Sequence, residues 1–326
     1  MYIIMKRILT GIQSSGIPHL GNILGAIQPS IKLSNITESE SFLFIADLHS
    51  FTQIKNADAL KQNTFETASA WLACGVDTEK TVFYKQSDIP EVTELSWYLS
   101  CFFPYNRLKL AHAFKDKSSN FENVNCGLFT YPMLMAADIL LYDADVVPIG
   151  KDQLQHIEFT RDIGIKFNNH YGEIFKIPDS MTTKDAEYIP GIDNQKMSKS
   201  KNNVINIFDN DSNLRKQIMR IQTDSKNINE PKDYSSCTIF KIFSLIASES
   251  EIFEMKKNYI EGSIGYGDAK KLLFEKIKSN FKNEREKFNE FKLNPEEVES
   301  KLKIGSEKAK SVAKKTLKRI RSKLGY

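Results

Sequence analysis

The chain has 326 residues, of which 41% are hydrophobic and 26% are charged. This is the composition of an ordinary globular protein, long enough to form one large domain with a smaller one. It excludes a protein that spans a bilayer, because the longest apolar runs are far too short. The apolar start from Met1 to Met5 is also shorter than a secretory signal requires, so we read it as the start of a strand.

Four cysteines lie far apart in the chain, at Cys74, Cys101, Cys126 and Cys237. They form no Cys-x-x-Cys pair, and no histidine or cysteine has the spacing of zinc ligands. We therefore expect reduced, mostly buried cysteines and no structural metal. Such cysteine usage is typical of a cytoplasmic protein.

The first half of the chain alternates strand-like and helix-like segments. Apolar runs predict strands at residues 7–10, 41–46, 81–84 and 146–149. Helical patterns cover residues 20–34, 58–74, 128–142 and 151–170. We therefore predict an α/β fold, a Rossmann-like parallel sheet with crossover helices, which binds its ligands at the carboxyl ends of the strands.

The alternation stops after Met181. Residues 182–206 are polar and read as a loop, whereas residues 206–292 have a helical pattern. The tail has apolar residues at helical spacing and an otherwise basic surface. We predict a catalytic domain at 1–204 and a helical domain at 205–299, with a helix at about 300–326 that packs back on the catalytic domain.

Positive charge is concentrated in this tail. Residues 301–326 contain ten lysines or arginines and one acid, so the tail carries +9 whereas the other 300 residues sum to −5. This asymmetry favours a polyanionic partner. The alternative is a solvated basic face on a helix whose other face packs on the core.

The turn after the first strand has features of a phosphate-binding segment. It leads into a helix, whose N-terminal N–H groups and partial positive charge suit an anion. Gly21 leaves room for a nucleotide, and His19 and Asn22 supply hydrogen-bond donors. The segment is neither a dinucleotide fingerprint nor a Walker loop. The alternative is a glycine-rich turn with a capping histidine.

A second segment of this kind is Lys196-Met197-Ser198-Lys199-Ser200. Two lysines and two serines in a loop can bind a polyphosphate, and movement of the loop would let them close over it. The alternative is a solvated charged loop.

Together the two segments resemble the signature elements of class I aminoacyl-tRNA synthetases. Residues 18–22 resemble the HIGH element, with Asn22 where many members have the second histidine, and residues 196–200 match the KMSKS element letter for letter. The resemblance implies that His19, Asn22, Lys196 and Lys199 stabilise charge on the phosphates of ATP.

Two further segments resemble the tryptophanyl-tRNA synthetase family within that class. They are residues 127–142, GLFTYPMLMAADILLY, and residues 146–156, VVPIGKDQLQH. The resemblance is close over residues 6 to about 204 and looser in the tail. It implies a homodimer that uses ATP with magnesium to activate L-tryptophan as an adenylate, releases pyrophosphate, and transfers tryptophan to the 3′ end of tRNA(Trp).

The helix in the first of these segments carries a candidate tryptophan-reading residue. Tyr131, Met135 and Asp138 are spaced four and three apart, so they share one helical face. Indole has one N–H and no acceptor, so a buried Asp138 could accept that N–H while apolar side chains pack against the ring. The alternative is a surface carboxylate or the partner of a basic side chain. The packing residues are Met135, Val147 and Ile149, and the resemblance adds Tyr131, Gln153 and His49 around the amino acid.

The resemblance also assigns residues to ATP. Gly21, Gly150 and Asp152 would hold the adenosine, the backbone around Ile189 would contact the adenine, and no protein side chain would bind the metal. The full expected set is Gln13, Ser14, Ser15, Gly21, Asn22, Gly150, Lys151, Asp152, Ile189, Lys196, Met197, Ser198, Lys199 and Ser200.

One departure from the family pattern is Ala113, where a glutamine usually stands near the amino-acid pocket; His112 could substitute for it.

Three rival interpretations remain. A tyrosyl enzyme would have a KFGKS-like loop and would lack the MAADILLY helix. A dinucleotide-forming nucleotidyltransferase would lack KMSKS and the helical domain. An inactive relative that only binds RNA would have no need of intact His19, Asn22 and KMSKS.

Overall fold

The computed structural model describes residues 6–35, 39–110, 125–150, 153–182 and 189–326. The chain divides into two compact units. The sheet unit comprises Met1–Gly16, Pro29–Ala186 and Asn294–Tyr326, and the helical unit comprises Ile17–Gln28 and Glu187–Leu293. Residues 17–28 and 187–204, which the sequence assigned to the catalytic domain, thus group with the helical residues.

The sheet unit is built on five parallel strands in the order β3-β2-β1-β4-β5. The strands are β1 Lys6–Ile12, β2 Ser39–Ile45, β3 Thr81–Lys85, β4 Val146–Ile149 and β5 Asp179–Thr182. The predicted α/β fold is confirmed, with one strand more than expected. β5 was missed because its short, polar sequence has no strand pattern and it forms by pairing with β4.

The register of the strands brings their carboxyl ends together. Ile45 at the end of β2 pairs with Ile12 of β1 and with Lys85 of β3. β2 is buried on both faces from Ser41 to Ile45, as its continuous apolar run predicts. The residues that follow β1, β2 and β3 therefore share one edge of the sheet, the edge at which such folds bind ligands.

Helices pack against this sheet, and many of their buried apolar side chains join those of the strands in one hydrophobic cluster. The helices of the sheet unit include Asp47–Phe51, Ala57–Ala73, Glu91–Phe102, Tyr105–Leu108, Cys126–Leu140, Leu154–Tyr171 and Pro295–Leu324. The last of these, which we call the C-terminal helix, begins with a proline in its first turn and buries Ala309, Ala313 and Ile320 on one side. This buried side coincides with the apolar stripe seen in the sequence.

The helical unit contains Leu20–Asn22, the π-helical turn Ile23–Ile27 and five longer segments. Those five are Asp211–Met219, Thr238–Ser244, Glu249–Glu261, Tyr266–Asn280 and Lys282–Leu293. The Glu249–Glu261 helix begins with a capping box between Ser248 and Glu251 and ends at Gly262, which has φ +67°. These local signals explain why the sequence reads as helical here.

The structure also bears on the expected burial of the cysteines and on membrane-spanning helices. Cys101 and Cys126 are exposed and Cys74 and Cys237 are half-buried, so the expectation of mostly buried cysteines is wrong. Within the described ranges, no helix combines the length and apolarity needed to cross a bilayer.

Candidate active site

The carboxyl edge of the sheet carries polar residues directly after its strands. Gln13 and Ser15 follow β1 and are exposed, whereas Ser14 is fully buried and its hydroxyl donates to Ser50 at 3.1 Å. The Ser14 side chain therefore holds the turn together, and a contact with ATP would have to come from its backbone. Gly150 follows β4, and its carbonyl accepts a hydrogen bond from the N–H of Gln153 at 3.0 Å.

Asp138 lies in the Cys126–Leu140 helix and is only 3% exposed. The Gln86 amide donates to both of its carboxylate oxygens, at 2.9 and 2.8 Å. Nε2 of His49, which is also buried, lies 3.0 Å from Asp138 Oδ2. Because a carboxylate can accept about four hydrogen bonds, this arrangement leaves acceptor capacity for one more donor.

Burial raises the pKa of Asp138, while the neighbouring His49 and Gln86 oppose that rise. The structure therefore excludes the alternative of a helix-surface carboxylate. A carboxyl group kept away from water and held by two side chains has a fixed orientation, which is what a selective hydrogen-bond acceptor requires.

Aromatic groups lie beside this carboxylate. The Tyr131 hydroxyl is 2.8 Å from Nε2 of His156, and the ring of Tyr131 meets the ring of His49 edge-on, at 6.1 Å between centroids. Met135, Val147 and Ile149 belong to the same hydrophobic cluster of the sheet unit, Met135 as a partly buried member.

Gln86 is the main residue of this region that the sequence did not single out. It is 1% exposed and begins the short turn Gln86–Asp88 that follows β3. Its position directly after a buried strand, at the ligand-binding edge, is the signal that could have identified it. The next residue, Ser87, donates through its backbone N–H at 2.9 Å and through its hydroxyl to Asp47.

In the helical unit, His19 caps the helix that starts at Leu20. Its Nδ1 accepts the N–H of Asn22 at 3.2 Å, and Asn22 Oδ1 accepts the N–H of His19 at 3.2 Å. The capping-histidine alternative is thus what the structure shows, and it has a chemical consequence. Since Nδ1 acts as an acceptor, the proton of a neutral His19 is on Nε2, which can donate to an anion.

The two motif segments of the helical unit lie against each other. The N–H of Gly21 points at the sulfur of Met197, 3.3 Å away, and the N–H of Leu20 donates to the carbonyl of Ile205 at 2.8 Å. A side chain at Gly21 would crowd both His19 and Met197. Met197 is itself buried, so its side chain joins the two segments.

A single buried side chain braces the lysine-rich loop. Asn203, 1% exposed, accepts the N–H of Ser198 at 2.7 Å and donates to the Lys196 carbonyl at 3.1 Å and to Asp193 at 2.7 Å. The loop is also closed by the N–H of Met197, which donates to the carbonyl of Ile189 at 3.1 Å. Of the motif side chains, Lys196 and Ser200 are exposed and Ser198 and Lys199 are half-buried.

Burial, and then the positive charge of Lys199, lower the pKa of His19 to about 4. The histidine is therefore neutral near pH 7, because burial and the charge of Lys199 both disfavour its protonated form. Four residues named from the sequence, Ala113, His112, Lys151 and Asp152, lie outside the described residues.

A parallel sheet with polar groups at its carboxyl edge, and a helix N-terminus packed against a lysine-rich loop, define a nucleotide-binding α/β protein. The sequence model of the family described as tRNA synthetases class I (W and Y) matches residues 5–282. The chain belongs to this family.

Relatives with known names and structures cover almost all of the chain. A tryptophan–tRNA ligase of Campylobacter jejuni (strain RM1221) is 44% identical over 319 residues, which are 98% of this chain and 99% of the relative. The crystal structure of the Campylobacter jejuni tryptophanyl-tRNA synthetase complexed with ADP and tryptophan is similar with a TM-score of 0.92 and 43% identity, covering 98% of this chain and 100% of that one. The enzyme of Mycoplasma pneumoniae is similar with a TM-score of 0.84 and 32% identity, over 99% and 98% of the two chains.

Proposed function

We infer that this chain is a tryptophan–tRNA ligase, which activates L-tryptophan with ATP and transfers it to tRNA(Trp). The observation that carries this conclusion is the 44% identity with the Campylobacter jejuni ligase over nearly the full length of both chains. The resemblance of the HIGH-like and KMSKS segments supports the ATP chemistry, and the solved relative with ADP and tryptophan binds ligands of both kinds.

Tryptophan recognition is assigned to the sheet unit. Asp138 is buried, oriented by Gln86 and His49, and has acceptor capacity for the indole N–H. Tyr131, Met135, Val147, Ile149 and Gln153 complete the surroundings of the amino acid in this proposal. A site built around one buried hydrogen bond rejects an analogue that lacks the donor by about 10⁴–10⁵-fold, so phenylalanine would be excluded.

Binding of the triphosphate is assigned mainly to residues of the helical unit. His19 would donate from Nε2, and Asn22 from its amide nitrogen, because its oxygen is used in the helix cap. Lys196 and Lys199 would neutralise phosphate charge, with Ser198 and Ser200 as further donors. Gly21, Met197 and the Ile189 backbone would shape the surface that meets the nucleoside. Gln13, Ser14, Ser15, Gly150, Lys151 and Asp152 complete the proposed ATP set.

The proposed first step is attack by the tryptophan carboxylate on the α-phosphorus of ATP, with pyrophosphate as the leaving group. The nucleophile is already ionised near pH 7, so the step requires no general base, and catalysis consists of positioning and charge stabilisation. In the second step, a ribose hydroxyl at the 3′ end of the tRNA attacks the aminoacyl carbonyl and releases AMP.

Magnesium would accompany ATP. Across the described ranges, no three His, Cys, Asp or Glu side chains come close enough to hold a metal ion. Since Mg²⁺ is commonly bound by nucleotide phosphates and water with few protein carboxylates, the ion would be carried by the triphosphate and would neutralise part of its charge.

The tRNA would bind through phosphate contacts to exposed lysines of the C-terminal helix and through the helical unit. Exposed lysines of that helix include Lys308, Lys314 and Lys315. Binding of this kind weakens steeply with salt.

The chain is also proposed to act as a homodimer. Trp97, Tyr105 and Ile165 are large apolar side chains on helices of the sheet unit, and they are 68%, 63% and 44% exposed. Large apolar and aromatic side chains are enriched at subunit interfaces, and this enrichment supports the proposal.

ATP–pyrophosphate exchange with the purified chain tests the proposed function. We expect exchange that depends on tryptophan and is not supported by tyrosine or phenylalanine. Exchange with tyrosine would instead identify a tyrosyl enzyme, and a chain that binds RNA but exchanges with no amino acid would be an inactive relative. Transfer of radiolabelled tryptophan to tRNA(Trp) then tests the second step.

A further inference from the structure

The turn Gln86–Asp88 holds two acidic side chains of the sheet unit in place. Gln86 donates to both oxygens of Asp138, and Ser87 donates through its backbone N–H and hydroxyl to Asp47. The orientation of the buried Asp138 carboxylate therefore depends on where this turn lies. Recognition groups generally have to be held within about 0.5 Å of their working geometry.

The other side of the same turn is held by the C-terminal helix. The Ser306 hydroxyl donates to Asp88 Oδ2 at 2.7 Å, and Lys85, the residue before the turn, forms an ion pair of 3.1 Å with Glu299. Ser306 is 8% exposed, so its hydrogen bond is largely shielded from water. Lys85 also lies 3.9 Å from Asp88, which ties the two contacts together.

The helix backbone touches the strand just before the turn. A Cβ added at Gly305 would overlap the carbonyl and the backbone nitrogen of Phe83, so a side chain there would push the helix away from β3. Only glycine allows this approach. The end of β3 and the turn after it are thus set by Gly305, Ser306 and Glu299, which lie more than 200 residues further along the chain.

We propose that the C-terminal helix positions the tryptophan-reading carboxylate: Ser306 and Gly305 fix the turn at Asp88, and the turn, through Gln86, fixes Asp138. Ser306 and Gly305 are positioning residues, which touch neither substrate. The proposal rests on the proposed function. It gives a helix with a basic, outward-facing surface a second role at the amino-acid site.

The test compares Ser306→Ala with Arg319→Ala. Both changes remove one contact of the C-terminal helix with the sheet unit, but Arg319 pairs with Asp143, away from the turn, at 2.6 Å. In tryptophan-dependent ATP–pyrophosphate exchange, we expect Ser306→Ala to raise the KM for tryptophan about threefold to tenfold, as the loss of one shielded hydrogen bond would. The KM for ATP should stay within about twofold. Ser306→Thr, which keeps the hydroxyl, should restore the wild-type KM, and Arg319→Ala should leave it unchanged.

An unchanged KM for tryptophan in Ser306→Ala, or an equal rise in Arg319→Ala, would overturn the proposal. If Ser306→Ala does not fold, Glu299→Lys decides, because it places two lysines side by side at an exposed position. A rise of about threefold in the KM for tryptophan supports the proposal, and no change overturns it. A wild-type chain without any exchange activity would overturn the proposed function as well, whereas an active wild-type chain with unresponsive variants overturns this inference alone.

Discussion

The two candidate binding regions are built in opposite ways. The tryptophan region of the sheet unit places its key acid, Asp138, almost wholly out of water, with Gln86 and His49 bonded to it. The phosphate region of the helical unit keeps Lys196 exposed and Lys199 half-buried. Two buried polar groups of this region support local structure: Asn203 bonds the loop backbone, and His19 caps a helix through Nδ1.

This difference is what the proposed roles of the two regions require. Discrimination between similar amino acids requires a desolvated polar group. A wrong amino acid without the matching donor then leaves a buried acceptor unpaired, which costs free energy. A triphosphate is recognised by charge, and cations can bind it from a partly hydrated loop. The comparison therefore predicts that a substitution in one region alters the binding or the reaction of one substrate only.

The largest effect is expected for Asp138→Ala. Loss of the buried acceptor should raise the KM for tryptophan by about 100-fold or more and leave the KM for ATP within about twofold. Steady-state exchange kinetics with each substrate varied separately provide the measurement. Asp143→Ala, at a half-buried carboxylate that pairs with Arg319, serves as the control and should change neither value. An unchanged KM for tryptophan in Asp138→Ala would falsify the assigned role.

The next largest effect is expected for Lys199→Ala, which should impair the reaction of ATP rather than the binding of tryptophan. Removing a cation from the phosphate site should slow adenylate formation by about 10²-fold while tryptophan binding is retained. The matched control is Lys201→Ala, since Lys201 is exposed and its ammonium is bonded to Gln195 at 2.8 Å. Single-turnover adenylate formation measures the rate, and equilibrium dialysis measures tryptophan binding. Weakened tryptophan binding in Lys199→Ala would contradict the separation of the two regions.

Asn203→Ala should have a smaller effect of the same type. The lysine loop would lose three side-chain hydrogen bonds, so the rate of adenylate formation should fall about tenfold with an unchanged KM for tryptophan. Asn203→Asp keeps the acceptor for the Ser198 N–H but loses both donated bonds, so it distinguishes the two contributions. Equal activity of the wild type and Asn203→Ala would show that the loop does not need this brace.

A last effect concerns stability rather than kinetics, because the free energy of unfolding should depend on pH through His19. The folded chain keeps His19 neutral down to a pKa of about 4, whereas the unfolded chain takes up the proton near pH 6.5. The unfolded state thus binds more protons between these values, and the contribution of His19 is complete above pH 6.5 and is lost as the pH falls towards 4.

We expect this loss to be about 2 kcal/mol in the free energy of unfolding. Urea unfolding of wild type and His19→Gln at pH 7 and pH 4.5 measures it as the difference between the two proteins. If the free energy of unfolding falls by the same amount between pH 7 and pH 4.5 in both proteins, His19 is not buried as a neutral group.

The parts that could be predicted from the sequence are local in the chain. The strand and helix patterns of the first half, and the contiguous HIGH-like and KMSKS segments, are each contained within a few neighbouring residues. The fold class and the family followed from them. The meeting of the strands' carboxyl ends at one edge also followed, because parallel strands run in the same direction.

The parts that were missed depend on residues distant in the chain. The position of Gln86 after a buried strand marks the edge of the sheet, but its bond to Asp138 joins residues 52 apart in the chain. Ser306 and Asp88 are in contact across a separation of 218 residues. β5 has no apolar pattern of its own and exists through pairing with β4. The helix cap and the proposed phosphate contact of His19 are compatible, because the cap uses Nδ1 and the proposed contact uses Nε2.

The close contact between Gly305 and β3 also has a consequence for how the chain folds during synthesis. β3 stands first in the strand order, and the helix that packs against it follows in the sequence only after the entire helical unit. While the ribosome is still making that unit, this outer strand lacks the helix that packs against it, and an unprotected edge strand is prone to pair with other nascent chains. Truncation before Pro295 should therefore favour aggregation, and a chaperone that shields strand edges should help the full chain most during the last stage of translation.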